Sequence, residues 1–179
     1  MKGIVFTEFL EMVENAHGYE MVDQLITENE LPSQGVYTSI GTYDHKEMVS
    51  LVTTLSDKTK TPVPNLLQSF GQYLFGTFEK GYPRFFKAAN NAFDFLESIE
   101  KYIHVEVRKL YPDAQLPRFK TNRISDNILE MTYYSDRSMG SFALGLMEKT
   151  FEHYGEKATI TSEYIKSNGS EVKFTIHKM

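Results

Sequence analysis

The 179-residue chain contains no cysteine and no tryptophan. Without a thiol there is no cysteine nucleophile, no disulfide, no Cys-ligated zinc or iron–sulfur cluster and no thiolate ligand to haem iron. Positive charge is scarce as well: 19 Lys and Arg against 24 Asp and Glu leave a net charge of −5, the wrong sign for a nucleic-acid or anionic-membrane surface. No run of 18 apolar residues offers a helical membrane span. The opening MKGIVFTEFLEMVEN reaches an acid at Glu8 and shows a helical period where a signal peptide would have its apolar core. These absences point to a cytoplasmic protein. What the chain has in quantity is 13 Phe and 11 Tyr, an aromatic load that has to be placed. At roughly 100–200 residues per domain the length fits one domain, able to fold without a covalent or metal staple.

The first two-thirds carry helical periodicity. Ile4, Val5, Leu10, Met12 and Val13 begin a helix that breaks near His17-Gly18, and a second runs from about Glu20 to Asn29. Tyr43-Asp44 offers a cap for a third, with Met48, Val49, Val52 and Leu55 on one face. Pro64 suits the first turn of a helix reaching about Lys80, and a long helix from about Asn91 to Leu110 ends before Pro112. The period then changes. Ile128–Tyr134 alternates, with Leu129, Met131 and Tyr133 on one face; Ser141–Tyr154 returns to helix; Ala158–Ile165 and Val172–His177 flank the hairpin signal Asn168-Gly169. Helices first and antiparallel strands later define an α+β class.

Five histidines are the only nitrogen ligands available to a transition metal. His17 sits at a helix end and His45 at a helix start, while His153 and His177 read as surface residues; none forms an HExxH or H-x-x-x-H pair. His104 differs, because it lies beside the apolar stripe Phe93, Leu96, Ile99, Ile103, Val107, Leu110. Two readings stand: a partly buried core histidine, or a single axial ligand to haem iron, which one neutral imidazole can hold from one side. The second needs an apolar slot and donors for two propionates. Tyr133, Ser135 and Arg137 at i, i+2 and i+4 would share a face if the strand continued that far, aligning a phenol, a hydroxyl and a guanidinium for a carboxylate.

His104 with HVEVRKLYPDAQLPRF, the YYSDR segment further on and the MKGIVFTEFLEMVEN opening together resemble the H-NOX (haem–nitric oxide/oxygen binding) family of bacterial gas sensors, related to the sensor domain of soluble guanylate cyclase. The similarity spans essentially the whole chain. It implies a helical distal subdomain over about residues 1–62, and a proximal subdomain over about 63–179 of helices with a four-stranded antiparallel sheet. His104 then matches the axial ligand of haem b; Tyr133, Ser135 and Arg137 match the propionate-binding motif; Pro117 matches the proline that presses on the porphyrin. Oxygen-binding relatives carry a distal tyrosine where this chain has Phe142, with supporting tryptophan and asparagine where it has Phe9 and Leu74. Val5, Phe78 and Leu146 complete an apolar lining.

The resemblance therefore implies a nitric oxide sensor that excludes oxygen and also takes carbon monoxide. It would not be an enzyme, and its partner would be a histidine kinase or a cyclic-di-GMP enzyme. Two alternatives are an oxygen, carbon monoxide or haem-level sensor on the same fold, and a haem-free helical adaptor. Many relatives hold a structural zinc through cysteines near the terminal hairpin. This chain offers Thr150, Ser162 and Ser167 instead, so no such zinc is expected. Treatment with a strong chelator should accordingly leave the thermal unfolding curve unchanged; a chelator-dependent fall in Tm would contradict this.

Overall fold

Helix α1 (Gly3–His17) buries Phe6, Phe9 and Val13, spaced to share one face, and stops at Gly18, whose φ of 82° suits a residue without a side chain. The computed structural model covers residues 1–179. Helix α2 (Tyr19–Thr27) adds Val22 and Leu25. Helix α3 (His45–Thr59) starts where the Asp44 carboxylate accepts the Lys46 N–H at 3.0 Å. It buries Met48, Leu51, Val52 and Leu55. Val49, expected on this face, is 49% exposed, because one residue of helical rotation after Met48 turns it outward and Leu51 takes the inner position. Helix α4 (Val63–Gly81) opens behind Pro62 with Pro64 in its first turn. Its Leu66, Leu67, Phe70 and Leu74 join the core formed by α1–α3.

A short helix α5 (Pro83–Lys87) comes next, which periodicity does not reveal. The single helix expected from Asn91 to Leu110 is three pieces: α6 (Ala92–Ser98), a π turn (Ile99–Ile103) and α7 (His104–Leu110). At the junction the His104 N–H bonds to the carbonyl of Ile99, five residues back. A π turn inserts one residue into the helix and rotates the residues beyond it, and such turns recur at functional sites.

Strands β1 (Arg118–Ser125), β2 (Ile128–Tyr134), β3 (Ala158–Tyr164) and β4 (Glu171–Lys178) form one antiparallel sheet in the order β1-β2-β4-β3. Leu129, Met131 and Tyr133 of β2 face Ile176, Phe174 and Val172 of β4, all buried. The hairpin between β3 and β4 closes where the Gly169 N–H bonds to the Lys166 carbonyl at 2.9 Å, with Gly169 at φ 75°. Phe93 and Leu96 of α6 share the sheet's core with Met147 and Phe151 of helix α8 (Gly140–His153).

Helix α8 also packs along α4, and glycines set how closely. A Cβ placed on Gly145 would lie 2.0 Å from the Gln68 carbonyl oxygen, and one on Gly71 would lie 2.2 Å from that of Phe142. Only hydrogen fits at either place, so the two backbones touch. Gly145→Ala should therefore lower stability by about 1–3 kcal/mol, the usual cost of overpacking a tight contact, read as a lower urea midpoint at unchanged slope. An unchanged midpoint would show that the helices separate at no cost.

Candidate functional site

Helices α1, α4 and α8 wall one part of a cavity of about 450 Å³; the π turn, α7 and the start of β1 wall another. Of its 34 lining residues, 26 are hydrophobic, which makes it an apolar slot with a few placed polar groups. Val5 from α1, Leu74 and Phe78 from α4, and Phe142 and Leu146 from α8 all line it. Phe9 does not. It is fully buried and packs edge-on against Phe70 at 5.2 Å, and Phe70 in turn lies 5.1 Å from Phe142. Phe9 thus supports the wall from behind.

His104 lines the same cavity and is 9% exposed. Burial lowers its pKa, because a cation loses more than a neutral ring on leaving water, and Glu100 only partly opposes this. The ring is therefore neutral at pH 7. Its Nδ1 lies 3.1 Å from Glu100 Oε2, and with a carboxylate acceptor there the proton belongs on Nδ1. That tautomer leaves the Nε2 lone pair free. Glu100 Oε2 also accepts the Phe119 backbone N–H at 3.2 Å, and Oε1 accepts from Arg108 Nη2 at 3.4 Å. Burial alone would raise the Glu100 pKa, but these hydrogen bonds outweigh it and hold the carboxyl below its ordinary value. Sequence reading passed over Glu100; its one signal was its position four residues before His104, on the same helical face.

Tyr133, Ser135 and Arg137 also border the cavity. The strand expected to align them ends at Tyr134, with one more ladder bond from Ser135 N–H to the Ser170 carbonyl at 3.0 Å. A turn then closes from Ser138 N–H to the Ser135 carbonyl, with Ser138 at φ 56°. Arg137 is brought in by this turn and not by strand alternation. The Tyr133 oxygen accepts the Met139 N–H at 3.0 Å, and Ser135 Oγ accepts the Arg137 N–H at 3.2 Å. A backbone N–H thus holds each hydroxyl oxygen in place at the cavity border. The Arg137 guanidinium is half-buried and has no carboxylate against it; desolvation lowers its pKa, opposed only by Tyr133. A cation withdrawn from water without an anion is costly, so the cavity offers an anion site.

A second polar group closes the edge where Met1, Lys2, Ser39 and Ile40 meet Tyr111 and Leu116. Lys2 Nζ donates to the Ile40 carbonyl at 2.8 Å and to Thr42 Oγ1 at 3.0 Å, and Thr42 Oγ1 donates to Asp113 at 2.6 Å. These bonds tie the start of α1 to the loop that leads to Pro117, itself a lining residue. Nothing in the periodicity points to them. The other histidines lie apart, and no group of three or more His, Cys, Asp or Glu side chains is placed to hold a metal ion.

A neutral imidazole with one free nitrogen, a large apolar slot and three polar side chains on its border, Tyr133, Ser135 and Arg137, suit the chemistry of haem: iron, a flat hydrophobic macrocycle and two propionates. The family model for haem-NO-binding domains matches residues 2–162. The chain belongs to this family. The crystal structure of the Fe(II) unliganded H-NOX protein from K. algicida is 50% identical, with a TM-score of 0.97, and the match covers 100% of this chain and 97% of that one. The solution structure of the IWP-051-bound H-NOX from Shewanella woodyi in the Fe(II)CO ligation state is 40% identical, with a TM-score of 0.84 and coverage of 100% and 95%. An H-NOX from S. oneidensis in the Fe(II)NO ligation state shares the fold at 24% identity and a TM-score of 0.92, with coverage of 100% and 99%. No curated protein matches. H-NOX domains bind haem and act as sensors, not catalysts, and no helix of this one is long and apolar enough to cross a membrane.

If Arg137, Tyr133 and Ser135 hold the propionates, Arg137→Ala should speed haem loss by roughly 10–100-fold, the equivalent of a charge-assisted hydrogen bond of about 1.5–3 kcal/mol. Tyr133→Phe should speed it less. Transfer of haem to an excess of apomyoglobin reads both rates, and unchanged rates in both variants would remove the assignment.

Proposed function

We propose that the protein is a nitric oxide sensor carrying haem b, with His104 as its axial ligand. Tyr133, Ser135 and Arg137 hold the propionates, and Pro117 presses on the macrocycle. The observation that carries the reading is the pairing of a neutral, one-nitrogen-free His104 with an unpartnered Arg137 in one apolar cavity. Haem iron, when bound, would be held by His104 and would supply an open coordination position for a diatomic gas.

The choice of gas rests on the lining. Oxygen on ferrous iron gathers negative charge and gains from a hydrogen-bond donor, whereas nitric oxide and carbon monoxide depend on one far less. Val5, Leu74, Phe78, Phe142 and Leu146 carry no donor. That group of side chains discriminates by what it withholds. Family members solved in Fe(II)NO and Fe(II)CO ligation states support gas binding on this fold.

Transmission would begin at His104. Its backbone joins the π turn to α7, and its ring is tied through Glu100 to the edge of β1. A ring released from its ligand frees this junction to change conformation, a two-state element that a ligand can bias. The reader of that change would be a separate cytoplasmic histidine kinase or cyclic-di-GMP enzyme.

Two variants test the reading. His104→Gly should abolish haem retention, and added imidazole should restore the ferrous spectrum by filling the vacated position. Phe142→Tyr should lengthen the lifetime of an oxygen complex, although Phe9 and Leu74 leave the new hydroxyl unsupported. A His104→Gly protein that keeps its haem and spectrum without imidazole would overturn the ligand assignment.

A further inference from the structure

Glu100 is the one acid in contact with His104, and three hydrogen-bond donors converge on it from different places. Oε2 takes the His104 Nδ1–H at 3.1 Å and the Phe119 N–H at 3.2 Å, while Oε1 takes the Arg108 guanidinium at 3.4 Å. Phe119 pairs with Tyr133 across the sheet, and β1 is an edge strand with no neighbour on its other side. Glu100 therefore satisfies an edge N–H of β1 and the inner nitrogen of His104 with the same oxygen. The π turn that contains Glu100 leads directly into the His104 helix, so carboxylate and imidazole sit on one continuous stretch of helical backbone.

We infer that Glu100 is a positioning residue for the axial ligand: its carboxylate fixes the His104 ring and tautomer, strengthens Nε2 as a donor to iron, and has its own negative charge moderated by Arg108. This rests on the function proposed above. The physical basis is charge transfer along a hydrogen bond. An anionic acceptor on Nδ1 draws that proton toward itself, the ring gains electron density, and Nε2 binds a metal more firmly. A neutral acceptor does this less. Arg108 works in the opposite direction, because a guanidinium on Oε1 withdraws density from the carboxylate. The strength of the iron–His104 bond, and with it the ease of its release, is thus set by two residues outside the first coordination sphere. Arg108 lies with its side chain 41% exposed, so it can be changed without opening the core.

The experiment is resonance Raman spectroscopy of the haem-loaded ferrous protein, read at the iron–histidine stretching band, alongside the absorption spectrum of the nitric oxide complex. Glu100→Gln keeps an acceptor but removes the charge, and should move the band to lower frequency and raise the five-coordinate fraction with nitric oxide. Arg108→Ala should move both the other way. A helix–strand tie with no influence on the ligand would leave both readouts at their wild-type values in both variants, and that result overturns the inference. If Glu100→Gln fails to fold, Arg108→Ala alone decides by the same criterion. An iron–histidine band that survives in His104→Gly would instead sink the underlying ligand assignment, so the two failures are distinguishable.

Discussion

His104 is neutral because burial disfavours its cation more than Glu100 favours it, and that balance governs what the rest of the molecule can do. A protonated ring has no lone pair for iron. An exposed ring would meet water and solute metals. A buried ring without a partner on Nδ1 would be free to rotate or to change tautomer. The π turn, the Glu100 carboxylate and the edge N–H of β1 remove these alternatives one after another. The apolar lining is then required twice over, to keep the imidazole neutral and to accept a flat hydrophobic ligand.

Shape and charge in the cavity come from distant parts of the chain. The glycine contacts Gly71–Phe142 and Gly145–Gln68 bring α4 and α8 to backbone contact, and so set side by side the four lining residues Leu74, Phe78, Phe142 and Leu146. Part of the aromatic load lies in the same region: Phe9, Phe70 and Phe142 form a chain of edge-on and tilted ring contacts from the α1 core to the cavity wall. At the polar end, the backbone N–H groups of Arg137 and Met139 donate to Ser135 and Tyr133 and fix both hydroxyls beside the cavity. In a negatively charged chain, the half-buried Arg137 guanidinium, with no carboxylate against it, is the feature here that suits an anionic ligand.

The helices α1–α4, the alternation of β2 and the terminal hairpin were legible because each obeys a period that packing enforces: Phe6, Phe9 and Val13 on one helix face, Leu129, Met131 and Tyr133 on one strand face. His104, Tyr133, Ser135 and Arg137 were legible through the likeness of their segments to H-NOX proteins, and the structure brings all four to one cavity. What local pattern could not show is where the period slips. The π turn before His104 leaves the apolar spacing of Ile99 and Ile103 intact while changing the hydrogen bonding beneath it. The turn after Tyr134 depends on Ser138 taking a left-handed conformation that no residue type announces. Glu100 and Asp113 were invisible for a related reason: an acid on a helix surface or in a turn reads as solvated until the fold shows that Phe119 comes to meet the first and Thr42 the second.

The central claim is a haem held by His104 in a pocket that takes nitric oxide and leaves oxygen unbound. Its most direct test is the absorption spectrum of the ferrous, haem-loaded protein exposed first to air and then, after anaerobic reduction, to nitric oxide. The account predicts no stable oxygen complex in air, only slow oxidation, and then a nitrosyl spectrum on adding nitric oxide. A stable oxygen spectrum in air, or a protein that shows no Soret band after haem is supplied, would contradict it.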